Sequence, residues 1–232
     1  MPGVMNKNLT EIAFILDRSG SMASVTEAAI TGFNEFLRDQ QKTEGQARLT
    51  LVLFDNEYLV PLDCIPVQEA VALDTTTYVP RGSTALLDAI GTTIDRLGAR
   101  ISKMLEPDRP GQVIVAILTD GYENSSEKFT WKDISRKILE QTNTYKWQFL
   151  FLGANQDAIA TAANLSIAAT NASSYVADEI GTRTNSKAVS RKLCALRKMS
   201  AGARLSAQEH SDAAAPLSAI VAEEDAEGRK KK

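Results

Sequence analysis

Histidine is almost missing. The chain has 232 residues and a single His, His210, which lies in a polar, Ala-rich stretch near the C-terminal end. Without an imidazole in the apolar body, a Ser-His-Asp or Cys-His nucleophile is not expected there, and a three-His zinc site is excluded. Cysteine is nearly as scarce. Cys64 and Cys194 stand far apart and match no metal-ligand spacing. They read as two reduced thiols of a cytoplasmic protein, with Cys64 a small buried apolar residue. No apolar run approaches the roughly 20 residues a membrane helix needs. Residues 1–10 are polar, carry only Lys7 as a charge and lack an apolar h-region, so no secretory signal is expected. Neither a phosphate-cradling loop nor a dinucleotide glycine fingerprint occurs.

Net positive charge is lacking from most of the chain. Residues 186–232 carry ten Lys or Arg and six acids, a net of +4, whereas the whole chain is −3, so residues 1–185 carry −7. An acidic body argues against a nucleic-acid-binding core and leaves only the basic tail as a candidate. What is abundant is ordinary: 44% hydrophobic and 24% charged residues, suited to one α/β domain with a sizeable core.

Taken in order, the chain alternates strand and helix patterns. Residues 12–16 form a short apolar run, β-branched and aromatic, that ends at Asp17 and is followed by Gly20, so they are read as a buried strand. Residues 24–42 repeat apolar positions at helical spacing, with Ser24 and Glu27 spaced as a capping box and Gly45 beyond the end. Residues 47–54 are a second strand, and 58–62 return as a hairpin arm that Pro61 confines to a sheet edge. Residues 69–73 fit either a short helix or a strand fragment. Ser83 or Thr84 opens a helix whose apolar face is Leu87, Ile90, Ile94, Leu97 and Ile101, with Asp88 a first-turn acid facing the helix dipole. Residues 113–118 and 147–152 are further strands, separated by a helix capped by Thr130, and 156–164 are helical. Trp131 and Trp147 read as packing residues.

This pattern predicts an α/β fold. A doubly wound, mostly parallel sheet carries one antiparallel edge strand and has helices on both faces. Three segments are expected: a flexible N-terminus over 1–9, a domain over 10–170, and an Ala-rich, basic tail over 171–232. Within the tail, residues 188–199 suit a basic amphipathic helix with Val189, Leu193, Leu196 and Met199 on one face. Beyond Gly202 the composition predicts disorder.

Oxygen side chains cluster at the ends of the apolar runs. Asp17, Ser19 and Ser21 alternate after the first strand, Thr84 follows Pro80-Arg81-Gly82-Ser83, and Asp120 follows Leu118-Thr119. Carboxylates with hydroxyls form a hard-oxygen set suited to Mg²⁺, Mn²⁺ or Ca²⁺. For Ser19 and Ser21 alone, helix capping is the better account. Taken together, D-R-S-G-S, the Thr of G-S-T-A-L-L-D-A and the Asp of L-T-D-G resemble the metal-ion-dependent adhesion site (MIDAS) of von Willebrand factor type A (VWA) domains, of a bacterial or phage-like intracellular type. The resemblance covers roughly residues 10–165. It implies a Rossmann-like VWA fold in which Ser19, Ser21 and Thr84 bind a divalent cation through hydroxyls, and Asp17 and Asp120 do so directly or through water. Gly20, Gly82 and Gly121 would let backbone approach the ion, and Arg18, Met22, Tyr122, Glu123 and Asn124 would form the rim. The implied function is a non-enzymatic adaptor that captures an Asp or Glu of a protein partner, with no membrane partner. The alternatives are a metal-assisted hydrolase such as a phosphatase, and a self-assembling structural protein that clamps a neighbouring copy's acid. Asp17 lacks the second acid an aspartyl phosphatase wants two residues on, since Ser19 stands there, and that weighs against the enzyme.

Overall fold

The computed structural model describes residues 5–154 and 157–230. Its centre is a six-stranded sheet. β1 (Asn6–Asp17), β2 (Gln46–Phe54), β3 (Tyr58–Pro66), β4 (Pro110–Thr119), β5 (Gln148–Ala154) and β6 (Ala172–Tyr175) lie in the order β3-β2-β1-β4-β5-β6. Only β3 runs antiparallel, paired with β2 as the hairpin arm at the edge. The strand order reverses beside β1, which pairs in parallel with both β2 and β4. In doubly wound sheets the crevice at such a switch point, outside the carboxyl ends of the strands, is where ligands collect. Asp17 and Thr119 end the two strands that flank it.

Alternation along β1 divides the core. Ile12, Phe14 and Leu16 face one helical layer, while Ala13 and Ile15 face the other. The first layer contains α1 (Thr26–Lys42), whose Phe33 and Phe36 pack on Phe14 with ring centroids 5.4 and 4.6 Å away. The second contains α2 (Leu86–Ser102), α3 (Trp131–Tyr145) and α4 (Ala158–Asn164). Thr130 caps α3 as expected, in a reciprocal capping box with Asp133. The start expected for α4 at Gln156 lies outside the described residues, and Asp157 caps that helix by accepting from Ala160 N.

Several local expectations are corrected. Residues 20–25 form a 3₁₀ turn, so α1 begins at Thr26 after Val25, and the Ser24–Glu27 capping box does not form. Neither Ser83 nor Thr84 opens α2, which starts at Leu86. Asp88 does not simply face the helix dipole. Its carboxylate accepts from the amides of Glu127, Lys128 and Phe129 and pins the approach to α3. Residues 69–73 are neither helix nor strand beyond the 3₁₀ turn Val67–Glu69. The N-terminus is not loose over residues 6–9, because β1 already pairs there with β2 and β4. Trp147 is buried, but Trp131 stands 37% exposed at the start of α3.

The largest difference lies in the C-terminal third. β6 extends the sheet, and α5 (Glu179–Ala201), α6 (Ala207–Ala214) and α7 (Leu217–Lys230) follow it, so residues 207–214 and 217–230 are helical rather than disordered. Val189, Leu193 and Leu196 are buried in the same core as Phe33 and Phe36, though Met199 is exposed. Leu217, Ile220 and Val221 of α7 join them. Charges that read as a solvated tail are paired internally. Arg191 of α5 meets Asp212, Glu223 and Glu224, and Lys192 donates to the carbonyls of Ala213 and Ala215 at the end of α6. Arg197 is fully buried. Its guanidinium donates to Gln40 O at 2.8 Å and Gly45 O at 2.9 Å, supplying cationic donors to the C-terminal end of α1.

These contacts make α5 part of the fold. Leu193→Ala is expected to lower unfolding free energy by about 2–5 kcal/mol in urea titration, as deletion of a packed Leu does. A chain ending at Asp178 is expected to lose cooperative unfolding altogether; an unchanged melting curve would show that α5 is dispensable.

Candidate metal centre

The five oxygen-bearing residues converge at the carboxyl ends of β1 and β4. Ser19 Oγ and Ser21 Oγ lie 3.0 Å apart, and Ser21 Oγ donates to Asp120 Oδ1 at 2.6 Å. Asp17 is fully buried. Its Oδ1 accepts from Ser19 N at 2.6 Å and its Oδ2 from Thr119 Oγ1 at 2.5 Å. Thr84 arrives from the loop before α2. A Cβ placed on Gly121 would fall 2.8 Å from Thr84 Oγ1, so the hydroxyl packs against the residue that follows Asp120.

The main chain holds these loops in register. Gly20 N donates to Gly82 O at 3.2 Å and Asn124 N donates to Thr84 O at 3.1 Å, while Asn124 Oδ1 accepts from Thr84 N at 2.9 Å. Gly82 has φ +66°, and a Cβ there would sit 2.0 Å from Asn56 Oδ1. Glycine meets both demands. From below, Tyr78 donates its phenol to Asp17 O at 2.6 Å, and Tyr175 reaches Thr119 O at 3.4 Å. Burial and the neighbouring acids hold both phenols above the ordinary tyrosine range.

The site carries uncompensated negative charge. Burial pushes Asp17 up to about 6, against the opposing bonds from Thr119 and Ser19, and burial raises Asp120 too. Among the described residues no Lys or Arg forms an ion pair with either carboxylate. Nor does any group of three or more His, Cys, Asp and Glu among them stand as a metal-holding set. A cation held here would therefore rely on hydroxyl oxygens beside two carboxylates, a donor set that fits a hard divalent ion.

The expected rim is largely built into the frame. Met22 is buried. Arg18 is buried and paired with Asp55 and Glu57. Glu123 accepts from the amides of Leu87, Ser125 and Ser126, fastening the start of α2 to the loop after β4. Asn124 is committed to Thr84. Of the five, Tyr122 and Asn124 are exposed, Tyr122 at 64%. Thr119, Tyr78 and Tyr175 lie outside the expected site residues. Thr119 was visible as the residue before Asp120, but nothing in the local pattern linked its hydroxyl to Asp17.

No protein-family model matches the chain, and no curated protein matches it by sequence. Solved structures do match in fold. Proximal thread matrix protein 1 from the mussel byssus, in a form with a zinc-occupied MIDAS motif, superposes with a TM-score of 0.58 at 15% identity, over 83% of this chain and 48% of that one. A second crystal form of the same mussel protein gives 0.52 at 16% identity, over 80% and 46%. A von Willebrand factor type A protein from Catenulispora acidiphila gives 0.49 at 16% identity, over 83% and 42%. The chain spans less than half the length of each of these structures. With the sheet order and the flanking helices, the likeness to the mussel protein with its MIDAS motif gives the fold: a Rossmann-like sheet of the von Willebrand factor type A kind.

Two glycines should respond in opposite ways. Gly82→Ala is expected to destabilise by about 1–2 kcal/mol, from the left-handed backbone and the close Asn56. Gly98→Ala, in open space on α2, is expected to stabilise by about 0.5–1 kcal/mol. Thermal melts of both variants check the contrast.

Proposed function

We propose that the chain is a divalent-cation-dependent protein-binding module that captures a carboxylate of a protein partner. The observation that carries this is the pairing of a buried carboxylate, Asp17, with a half-buried one, Asp120, neither in an ion pair among the described residues, beside the hydroxyls of Ser19, Ser21 and Thr84. Ser19, Ser21 and Thr84 would hold the ion through neutral oxygens, with Asp17 and Asp120 reaching it directly or through water. Mg²⁺ is the favoured ion, with Mn²⁺ or Ca²⁺ as substitutes. An ion held mostly by neutral donors keeps an electrophilic position for an incoming Asp or Glu.

This chain's own residues do the remaining work. Thr119 and Ser19 N fix both oxygens of Asp17 and leave its carboxylate little freedom to turn. Asn124 and Glu123 hold the loop after β4 against the start of α2, so that Thr84 and Asp120 keep their separation. The zinc-occupied MIDAS of the mussel protein supports the cation by analogy of fold alone. The two free thiols suit a reducing, cytoplasmic setting. No helix among the described residues is long and apolar enough to cross a membrane.

We place the chain outside the enzymes. Ser19 stands where an aspartyl phosphatase needs its second acid, and His210 lies exposed on α6. Mg²⁺ or Mn²⁺ is expected to raise the melting temperature of the full chain, and Asp17→Ala or Thr84→Ala to abolish that rise. Equal shifts in variants and parent would remove the site. With metal, purified protein is expected to leave generic phosphoesters intact; turnover lost in Asp17→Ala would establish the hydrolase instead. Pull-down with and without chelator is expected to recover a partner in the metal-loaded arm alone.

A further inference from the structure

One fully buried carboxylate beside the centre has no part in the donor set. Asp55 follows β2 and opens the turn into β3. Its Oδ1 accepts from Glu57 N at 2.5 Å and closes that turn. Its Oδ2 lies 3.0 Å from an Arg18 guanidinium nitrogen and accepts from Arg81 Nε at 3.1 Å. Its main-chain oxygen accepts from Ala85 N at 2.9 Å. Glu57 completes the cluster by pairing with both arginines.

Three separate segments meet on this residue: the loop after β1, the turn after β2 and the loop before α2. Two of them carry a donor. Arg18 directly precedes Ser19, and Ala85 directly follows Thr84. Main-chain bonds run along the same seam. Arg18 N donates to Phe54 O at 2.8 Å, Arg81 N to Arg18 O at 2.8 Å and Gly20 N to Gly82 O at 3.2 Å. A buried ion cluster is a weak source of net stability compared with apolar packing. What it does supply is geometry, because guanidinium groups present donors in a fixed plane to a carboxylate. The opposite half of the centre is set independently, by Thr119 on Asp17 and Ser21 on Asp120.

We infer that Asp55 is a positioning residue for the cation centre, clasping Arg18 and Arg81 so that the loops bearing Ser19 and Thr84 stay face to face. The inference rests on the cation reading. The clasp also has a consequence in metal-free protein, which separates the two.

Asp55→Asn in the full chain tests it. The amide keeps an acceptor for Glu57 N and removes the charge that holds both arginines. Far-UV circular dichroism is expected to stay unchanged. Mn²⁺ affinity measured by calorimetry is expected to fall about 10- to 100-fold, the usual scale for residues that orient ligands from behind. In chelator, hydrogen exchange is expected to quicken at the amides of Gly20, Arg81 and Ala85, with Ile15 and Ile117 in the sheet still protected. Arg96→Ala, which removes an exposed pair with Asp63, is the control and should change neither readout. Parent-like Mn²⁺ affinity, or loop amides as protected as in the parent, would overturn the assignment. Uniform loss of protection across sheet and loops would overturn it too, by making Asp55 a general stability residue. If Asp55→Asn does not fold, Arg81→Gln at a half-exposed position decides by the same two readouts. Should the parent bind no Mn²⁺, the cation reading fails, and the exchange measurement still judges the clasp.

Discussion

A carboxylate placed where two buried strands meet water governs this structure. β1 is apolar on both faces because helices cover both sides of the sheet, and its last residue, Asp17, is the first polar side chain after that run. Burying an anion there is costly without compensation. The Thr119 hydroxyl and the Ser19 amide supply part of it, yet burial still drives Asp17 up to about 6. The loops around it are arranged to bring further oxygens to the same place, which is the opposite of what charge repulsion alone would favour. A divalent ion would resolve that conflict, and this is the electrostatic support for the proposed cation.

The loops are held by each other more than by their own sequences. Gly20 meets Gly82, Thr84 meets Asn124, Glu123 ties down the start of α2, and Asp88 pins the approach to α3. Residues that look like free rim positions in a linear motif are therefore structural. Arg18 faces Asp55, and Asn124 faces Thr84. Tyr122, by contrast, is well exposed. The frame consumes most of the side chains around the site.

The helical layer over one face of the sheet shows the same division between local and distant causes. α1 was legible from its apolar spacing. Its partner α5 was legible only as an amphipathic segment, and α6 and α7 were not legible at all. Leu217, Ile220 and Val221 are too few to outweigh the alanine and charge around them until α5 provides a surface to cover. The acids that looked solvated pair with Arg191, and Arg197 is buried because the open carbonyls at the end of α1 need donors.

The first five strands, the antiparallel edge, the helices α1 to α4 and the placing of five oxygen side chains at the ends of apolar runs were legible in the sequence alone. Each depends on short-range periodicity or on residues at the end of an apolar run, where side-chain direction follows from the backbone. Only the tertiary structure decided that Thr119 serves Asp17, that Asp55 joins three loops and that the C-terminal third belongs to the core. Those outcomes depend on contacts between residues far apart in the chain, 102 positions for the Thr119–Asp17 bond. No local pattern encodes which distant surface a hydroxyl, a carboxylate or a short apolar stripe will meet.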